Sequence, residues 1–245
     1  MLFRSYPGTL DGANKRAKQI ADMGTDEEFA YLLGRFAGDG WFQKRGIAIG
    51  TKHESEAEFI AELMRRIFSK EPKAKFRKYS DGHELYQVSM YSVETEKHFR
   101  EILGNIEKEK SKNFRIPESI ITNDVLRRRF IQGIFDAEGS FRIWRGKPRV
   151  QMDIYNRTAA EAIQDSIRND GIKSSLSICS DGACRIETTG EKNVELFRAL
   201  YHYPARESPG CKPCPFDIGI LKGDARVVGK PLNGPPGKYG RKAET

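Results

Sequence analysis

The chain repeats itself, and that repetition constrains the fold more tightly than any local propensity. Residues 29–42 and 129–141 superpose at a constant offset of 99, which lays Gly34 on Gly133, Gly38 on Ala137 and Asp39 on Glu138. Each copy carries an apolar helical pattern with small residues four apart, and each ends in an acid followed by glycine. The segments downstream of the two copies repeat as well. Short strand-like runs fall at 41–45, 47–51, 73–79 and 85–91 in the first copy, and at 140–145, 149–155, 172–179 and 183–188 in the second. Amphipathic helical stretches separate the middle runs at 56–68 and 159–167, and further helices include 94–103 and 193–201. Each half therefore reads helix, strand, strand, helix, strand, strand, helix, with the first turn of the second half about five residues longer.

The repeated acid is chemically informative. Thr25 is placed to cap the first helix, with Glu28 completing a capping box, and Gly40 supplies the stop. Asp39 then stands at a helix C-terminus, where the macrodipole and carbonyls without intrahelical partners disfavour a carboxylate unless a cation is present. Oxygen ligands of this kind suit Mg²⁺ or Ca²⁺. The second helix, capped near Thr122 or Asn123 and running through Leu126, Phe130 and Ile134, ends likewise at Glu138 and Gly139. If Gly34 and Gly38 pack on Gly133 and Ala137, the two backbones approach closely and Asp39 meets Glu138 in one divalent-metal site. A single acid-glycine helix end is an ordinary cap. Its recurrence with an oxygen ligand kept, Glu for Asp, points beyond capping.

These two segments, 32–40 and 131–139, resemble the paired motifs of a monomeric LAGLIDADG homing endonuclease, and the resemblance covers roughly residues 25–220. It implies an α+β fold of two pseudo-symmetric αββαββα repeats, packed through their motif helices, whose curved antiparallel sheets form a DNA saddle. It implies metal-dependent cleavage of both strands of a long asymmetric target, leaving short 3′ overhangs. Mg²⁺ is the expected cofactor, with Mn²⁺ able to substitute and Ca²⁺ binding without supporting cleavage. Asp39 and Glu138 match the family's metal-binding acids, and the carbonyls of Gly38 and Ala137 are candidate further ligands. Ala37 departs from the family pattern, which has Asp there and keeps it in the second copy as Asp136. The family also places basic residues around its metals. Among Lys108, Lys110 and Lys112, Lys112 best fits that pattern, and Lys212 is the nearest analogue in the second half.

The charge balance agrees with a polyanionic partner: 42 Lys and Arg against 34 Asp and Glu give a formal net charge of +8. With 38% hydrophobic residues, wholesale disorder is excluded, and no apolar stretch approaches the eighteen residues or so of a membrane span. Strand alternation sorts the second half into an apolar face, Phe141, Ile143, Val150, Met152 and Ile154, and a base-reading face of Ser140, Arg142, Trp144, Arg149, Gln151 and Asp153. In the first half Trp41, Gln43, Arg45, Lys52, Lys73, Lys75 and Arg77 form the corresponding DNA-binding set.

The chain divides into a basic N-terminal extension (1–24), two repeats (25–116 and 117–222) and a Pro/Gly-rich tail (223–245). Cys179, Cys184, Cys211 and Cys214 leave zinc binding, a disulfide and free thiols all open. The start lacks a secretory signal and no splicing motifs flank the repeats, so a free-standing, intron-encoded, intracellular monomer is expected, in a prokaryotic cytoplasm or an organelle, with double-stranded DNA as partner and no membrane or obligatory protein partner. Two other functions compete: a catalytically idle RNA maturase or DNA-binding regulator, and a metal-dependent phosphohydrolase of small substrates, which would leave the polar sheet faces without a purpose.

Overall fold

The computed structural model describes residues 27–80, 82–104 and 110–201. The terminal segments, the Thr25 cap, Lys108, Lys212, Cys211 and Cys214 lie outside those residues. The first repeat runs α1 (Glu27–Asp39), β1 (Gly40–Gln43), β2 (Gly46–Thr51), α2 (Glu54–Phe68), β3 (Lys73–Lys78), β4 (Glu84–Tyr91) and α3 (Val93–Ile102). Two one-turn helices, α4 (Lys110–Asn113) and α5 (Glu118–Ile121), lead into the second. That repeat runs α6 (Asp124–Glu138), β5 (Gly139–Trp144), β6 (Lys147–Ile154), α7 (Arg157–Asn169), β7 (Ser175–Ile178), β8 (Cys184–Thr189) and α8 (Glu191–Tyr201). Each repeat builds one antiparallel sheet, ordered β1-β2-β4-β3 or β5-β6-β8-β7, so the expected α+β architecture is present in both halves. No helix among the described residues is long and apolar enough to cross a membrane.

Apolar spacing explains how each motif helix is held. Phe29, Leu32, Leu33 and Phe36 are fully buried on α1, each worth about 1.5–3 kcal/mol in apolar transfer. A triad of rings then locks each motif helix to its own sheet. Phe36 meets Phe42 of β1 and Phe99 of α3 with centroids 5.0 and 4.9 Å apart. In the second repeat Phe135 meets Phe141 of β5 and Phe197 of α8 at 4.9 and 5.1 Å. The edge-on geometry is the favoured one for aromatic pairs. At the far end of α6, the Asn123 side chain accepts from the amides of Val125 and Leu126 as a cap. Arg127, Arg128 and the Tyr201 hydroxyl all converge on Asp170, tying α6, α7 and α8 together.

Four details differ from the sequence reading. The extra length of the second hairpin lies in its strands, not its turn: β5 and β6 have 6 and 8 residues against 4 and 6 in β1 and β2. Arg45 and Arg145 are turn residues with φ of 67° and 50°, the left-handed geometry that tight hairpin loops use to match strand twist. Ile172 is not in a strand but closes the end of α7, its amide donating to the Ile167 carbonyl at 3.2 Å while the Gly171 amide donates to Arg168 at 2.9 Å; this is the Schellman pattern. Finally, Gly139 comes after α6 with φ −92° and ψ 163°, so it does not act as a left-handed stop. A Cβ there would fall 2.1 Å from the Phe135 ring, and Gly40 is crowded by Phe36 in the same way, at 2.3 Å.

The motif helices cross at their glycines. A Cβ on Gly34 would lie 2.1 Å from the Phe130 carbonyl oxygen, and one on Gly133 would lie 2.2 Å from that of Tyr31. Both clashes are with backbone, so no flexible group is able to yield. Gly34→Ala is therefore expected to cost about 3 kcal/mol or more, read as a lower urea midpoint. Gly50→Ala, whose Cβ would meet side-chain atoms alone, the tip of Trp41 at 3.2 Å and Leu85 at 3.6 Å, should stay within about 1 kcal/mol of the parent. Equal stability of the two variants would contradict the packing argument.

Candidate metal centre and nucleic-acid interface

Asp39 is the last residue of α1 and Glu138 the last of α6. Both carboxylates stand where helix dipoles oppose them. A Cβ on Gly38 would lie 2.4 Å from the Ala137 Cβ and 3.5 Å from Glu138 Oε1, so the missing side chain lets the second acid reach the end of the first helix. Desolvation, and then the charge of Asp39, push the Glu138 carboxyl above its ordinary value, while Lys110 and Arg35 pull it back. Arg35 Nη1 lies 3.7 Å from Asp39 Oδ2.

Lys110, the first residue of α4, supplies a cation to this cluster. Its ammonium donates to the carbonyls of Phe36, Ala37 and Gly38, the last two at 2.6 and 2.8 Å. Ala37 and Gly38 are among the carbonyls that the end of a helix leaves unpaired. Burial pulls Lys110 down to about 7 even though Glu138 and Asp39 favour its charged form. The sequence pattern pointed to Lys112 instead. That residue is exposed, because two residues in a helix are about 200° apart around the axis and α4 presents Lys110 to α1.

Arg35 and Glu56 were missed by sequence reasoning. Arg35 is 1% exposed, its Nη2 lies 2.6 Å from Glu56 Oε1, and Glu56 also accepts from the Thr51 hydroxyl. The available signal was a lone arginine within the apolar stripe of α1, four residues before the motif acid.

The donors at these helix ends are the carboxylates of Asp39 and Glu138 and the carbonyl of Gly38, and the carbonyl of Ala137 directly precedes Glu138 in the chain. Among the described residues no group of three or more His, Cys, Asp or Glu converges, so a cation would take its other ligands from carbonyls, water or substrate oxygens, as Mg²⁺ commonly does. The raised Glu138 and the ammonium held on bare carbonyls mark an oxygen-rich position short of positive charge, which fits a hard divalent ion. Cys179 and Cys184 are free thiols.

Strand register assigns the polar faces. Trp41 opposes Ala48, Ala48 opposes Ser89 and Ser89 opposes Lys73, so Trp41, Gln43, Lys73, Lys75 and Arg77 share the face away from the buried Ile47, Ile49, Val88 and Met90. Arg45 sits in the hairpin turn and Lys52 just beyond β2, both exposed. In the second sheet Ser140 opposes Gln151, Arg142 opposes Arg149 and Trp144 opposes Lys147, and Asp153 lies on that face too. Ile143, read as an inner residue, is 50% exposed because the longer hairpin carries it past the core.

Solved structures share this architecture. I-DmoI in complex with DNA and Mn is 19% identical with a TM-score of 0.54, covering 72% of this chain and 97% of its own. I-WcaI bound to its DNA recognition sequence is 15% identical with a TM-score of 0.54, covering 82% and 91%. The N-terminal LAGLIDADG domain of DUF199/WhiA is 13% identical with a TM-score of 0.54, covering 82% and 96%. No curated protein matches the chain in sequence. The model of the LAGLIDADG-like domain matches residues 26–104 and 125–201, the two halves whose helices meet at Gly34 and Gly133, and the chain belongs to that family.

Proposed function

We propose that the protein is a site-specific DNA endonuclease that acts as a monomer and makes a divalent-metal-dependent double-strand break in a long asymmetric target, leaving short 3′ overhangs, and that it serves intron homing. The observation that carries this reading is the convergence of Asp39 and Glu138 at one end of the crossed helices. A bare fold would not suffice, since the WhiA domain shares it. The structures of relatives in complex with DNA and Mn and in complex with DNA and Ca support a divalent ion.

Asp39, Glu138 and the carbonyls of Gly38 and Ala137 would hold Mg²⁺. Bound there, the ion supplies the charge that lowers the pKa of an attacking water and neutralises the phosphate in the transition state. Lys110 offers a second positive charge beside both acids, suited to the charge that develops on the phosphoryl oxygens. Buried Arg35, fixed by Glu56, positions Asp39 from behind. A second reading, binding without cleavage, is favoured by one observation: Lys110 already donates to the Gly38 carbonyl, the one α1 carbonyl assigned to the metal.

Selection of cleaved sites from a randomised duplex library with Mg²⁺, beside the Asp39→Asn/Glu138→Gln variant, separates the two. Discrete breaks with 3′ overhangs that vanish in the variant, while it still binds the target in Ca²⁺, are expected. Tight, salt-sensitive binding to a duplex or folded RNA with no cleavage would instead establish the binding protein. Lys110→Met should lower the cleavage rate by about 100-fold or more and should cost more than Lys112→Met; the reverse order would return the role to Lys112.

The same cluster makes a prediction free of DNA. The folded-state pKa of Glu138 lies above its unfolded value near 4.5. The stability it contributes is thus present below that unfolded value and is lost as pH rises through the folded one. In EDTA at about pH 7.5, Glu138→Gln should melt higher than the parent, and the advantage should shrink towards about pH 4. A variant that melts lower at both values would contradict the assignment.

A further inference from the structure

The two sheet faces are built differently. In the first repeat the four strands contain one acid, Glu84, which pairs with Lys78 at 2.6 Å on the opposite face. The outer row of β3, Lys73, Lys75 and Arg77, is exposed and opposes Ser89, Gln87 and Leu85. Among the described residues Lys73 sits over the Tyr91 ring, at 5.6 Å. The central strand β2 offers only Gly46, Ala48 and Gly50 on that face, and Trp41 lies across Gly50, within 3.2 Å of where its Cβ would be. Few groups there can reach a base edge.

The second face pairs two of its arginines, Arg185 and Arg149, with acids, while Arg142 donates to the Ser140 hydroxyl. Arg185 Nε and Nη2 each lie 2.8 Å from Asp153, a bidentate fork, and Gln151 donates to the same carboxylate at 3.0 Å. Arg185 beside it holds the Asp153 carboxyl below its usual range. Arg149 Nη1 lies 2.7 Å from Glu187, and its guanidinium sits 5.2 Å from the Trp144 ring. The two ion pairs are part-exposed and already fixed in direction, with Gln151 buried beneath them. Fixed forks lose less freedom on contact, and Arg, Gln and Asp are the groups that discriminate guanine, adenine and cytosine.

We infer that the two repeats divide the work on DNA: the first holds the phosphate backbone through the Lys73, Lys75 and Arg77 row, and the second reads bases through the Arg149–Glu187 and Arg185–Asp153 pairs. This rests on the endonuclease reading only in requiring a duplex target. Phosphate contacts position a protein without sequence information, whereas base-edge contacts specify. The selected site should therefore be strongly constrained on one side and degenerate on the other.

The test is equilibrium binding in Ca²⁺ to a selected duplex and to a random duplex, over a salt series. Lys73→Gln/Lys75→Gln/Arg77→Gln should weaken both complexes by a similar factor and reduce the salt slope by roughly 3. Asp153→Asn/Glu187→Gln should tighten the random complex, since two negative charges leave, yet lower the selected-to-random ratio by about tenfold or more. Reselection with that variant should relax positions on one half of the site. A triple variant with an altered site preference and an unchanged salt slope overturns the division, as does an acid variant that keeps the parent preference. Failure of the parent protein to bind any duplex would overturn the endonuclease reading as well, whereas the two outcomes just named overturn the division alone while duplex binding persists.

Discussion

Backbone contact between α1 and α6 is the constraint on which the remaining structure depends. With Gly34 against the Phe130 carbonyl and Gly133 against that of Tyr31, no side chain separates the helices at the crossing. Each helix is also locked to its own sheet by a ring triad, Phe36 with Phe42 and Phe99 or Phe135 with Phe141 and Phe197. One crossing therefore fixes the two sheets against each other. It also decides where the helices end together, and so where Asp39 and Glu138 meet. Packing geometry and chemistry are the same fact seen at two points along one helix pair.

That meeting point is electrostatically costly. Two helix C-termini, each presenting unpaired carbonyls, carry an acid apiece, and Glu138 responds with a raised pKa. Lys110 relieves part of the cost by donating to three carbonyls of α1, but its own burial draws it down to about 7. Arg35 adds a guanidinium at 1% exposure whose Nε has no hydrogen-bond partner among the described residues. Stability alone would not gather these groups; apolar residues of similar volume often serve a fold as well as a buried ion pair does. Residual electrostatic strain of this kind is characteristic of sites that await a ligand.

The sequence made the architecture legible because the duplication fixed element order twice, and because Gly34, Gly38, Gly133 and Ala137 are small at helical spacing. Strand faces were legible from alternation at Trp41, Gln43, Arg142 and Gln151. The features that escaped depended on direction or on distant partners. Whether Lys110 or Lys112 faces α1 turns on a one-turn helix too short to show a period. The ion pair of Arg35 with Glu56 joins residues whose approach arises only from packing α2 beside α1. Ile172 reads as a strand residue because β-branching is local, whereas its place in the turn after α7 is set by Gly171.

The departure at Ala37 has a physical account in the same interface. At the offset of 99, Tyr31 corresponds to Phe130 and Asp136 to Ala37. The Tyr31 hydroxyl donates to Asp136 Oδ2 at 2.8 Å across the helix pair. The symmetry-related position offers Phe130, which has no hydroxyl, and there the acid is replaced by Ala37, which is 2% exposed. An aspartate at 37 would face no such donor from Phe130 and would bear the desolvation cost of a buried carboxylate. Donor and acceptor are thus kept together on one side and absent together on the other. Within a single chain the two halves can change independently in this way, which a dimer of identical subunits cannot do. The same freedom underlies the unequal charge of the two sheet faces, and the interface shows that it extends into the core.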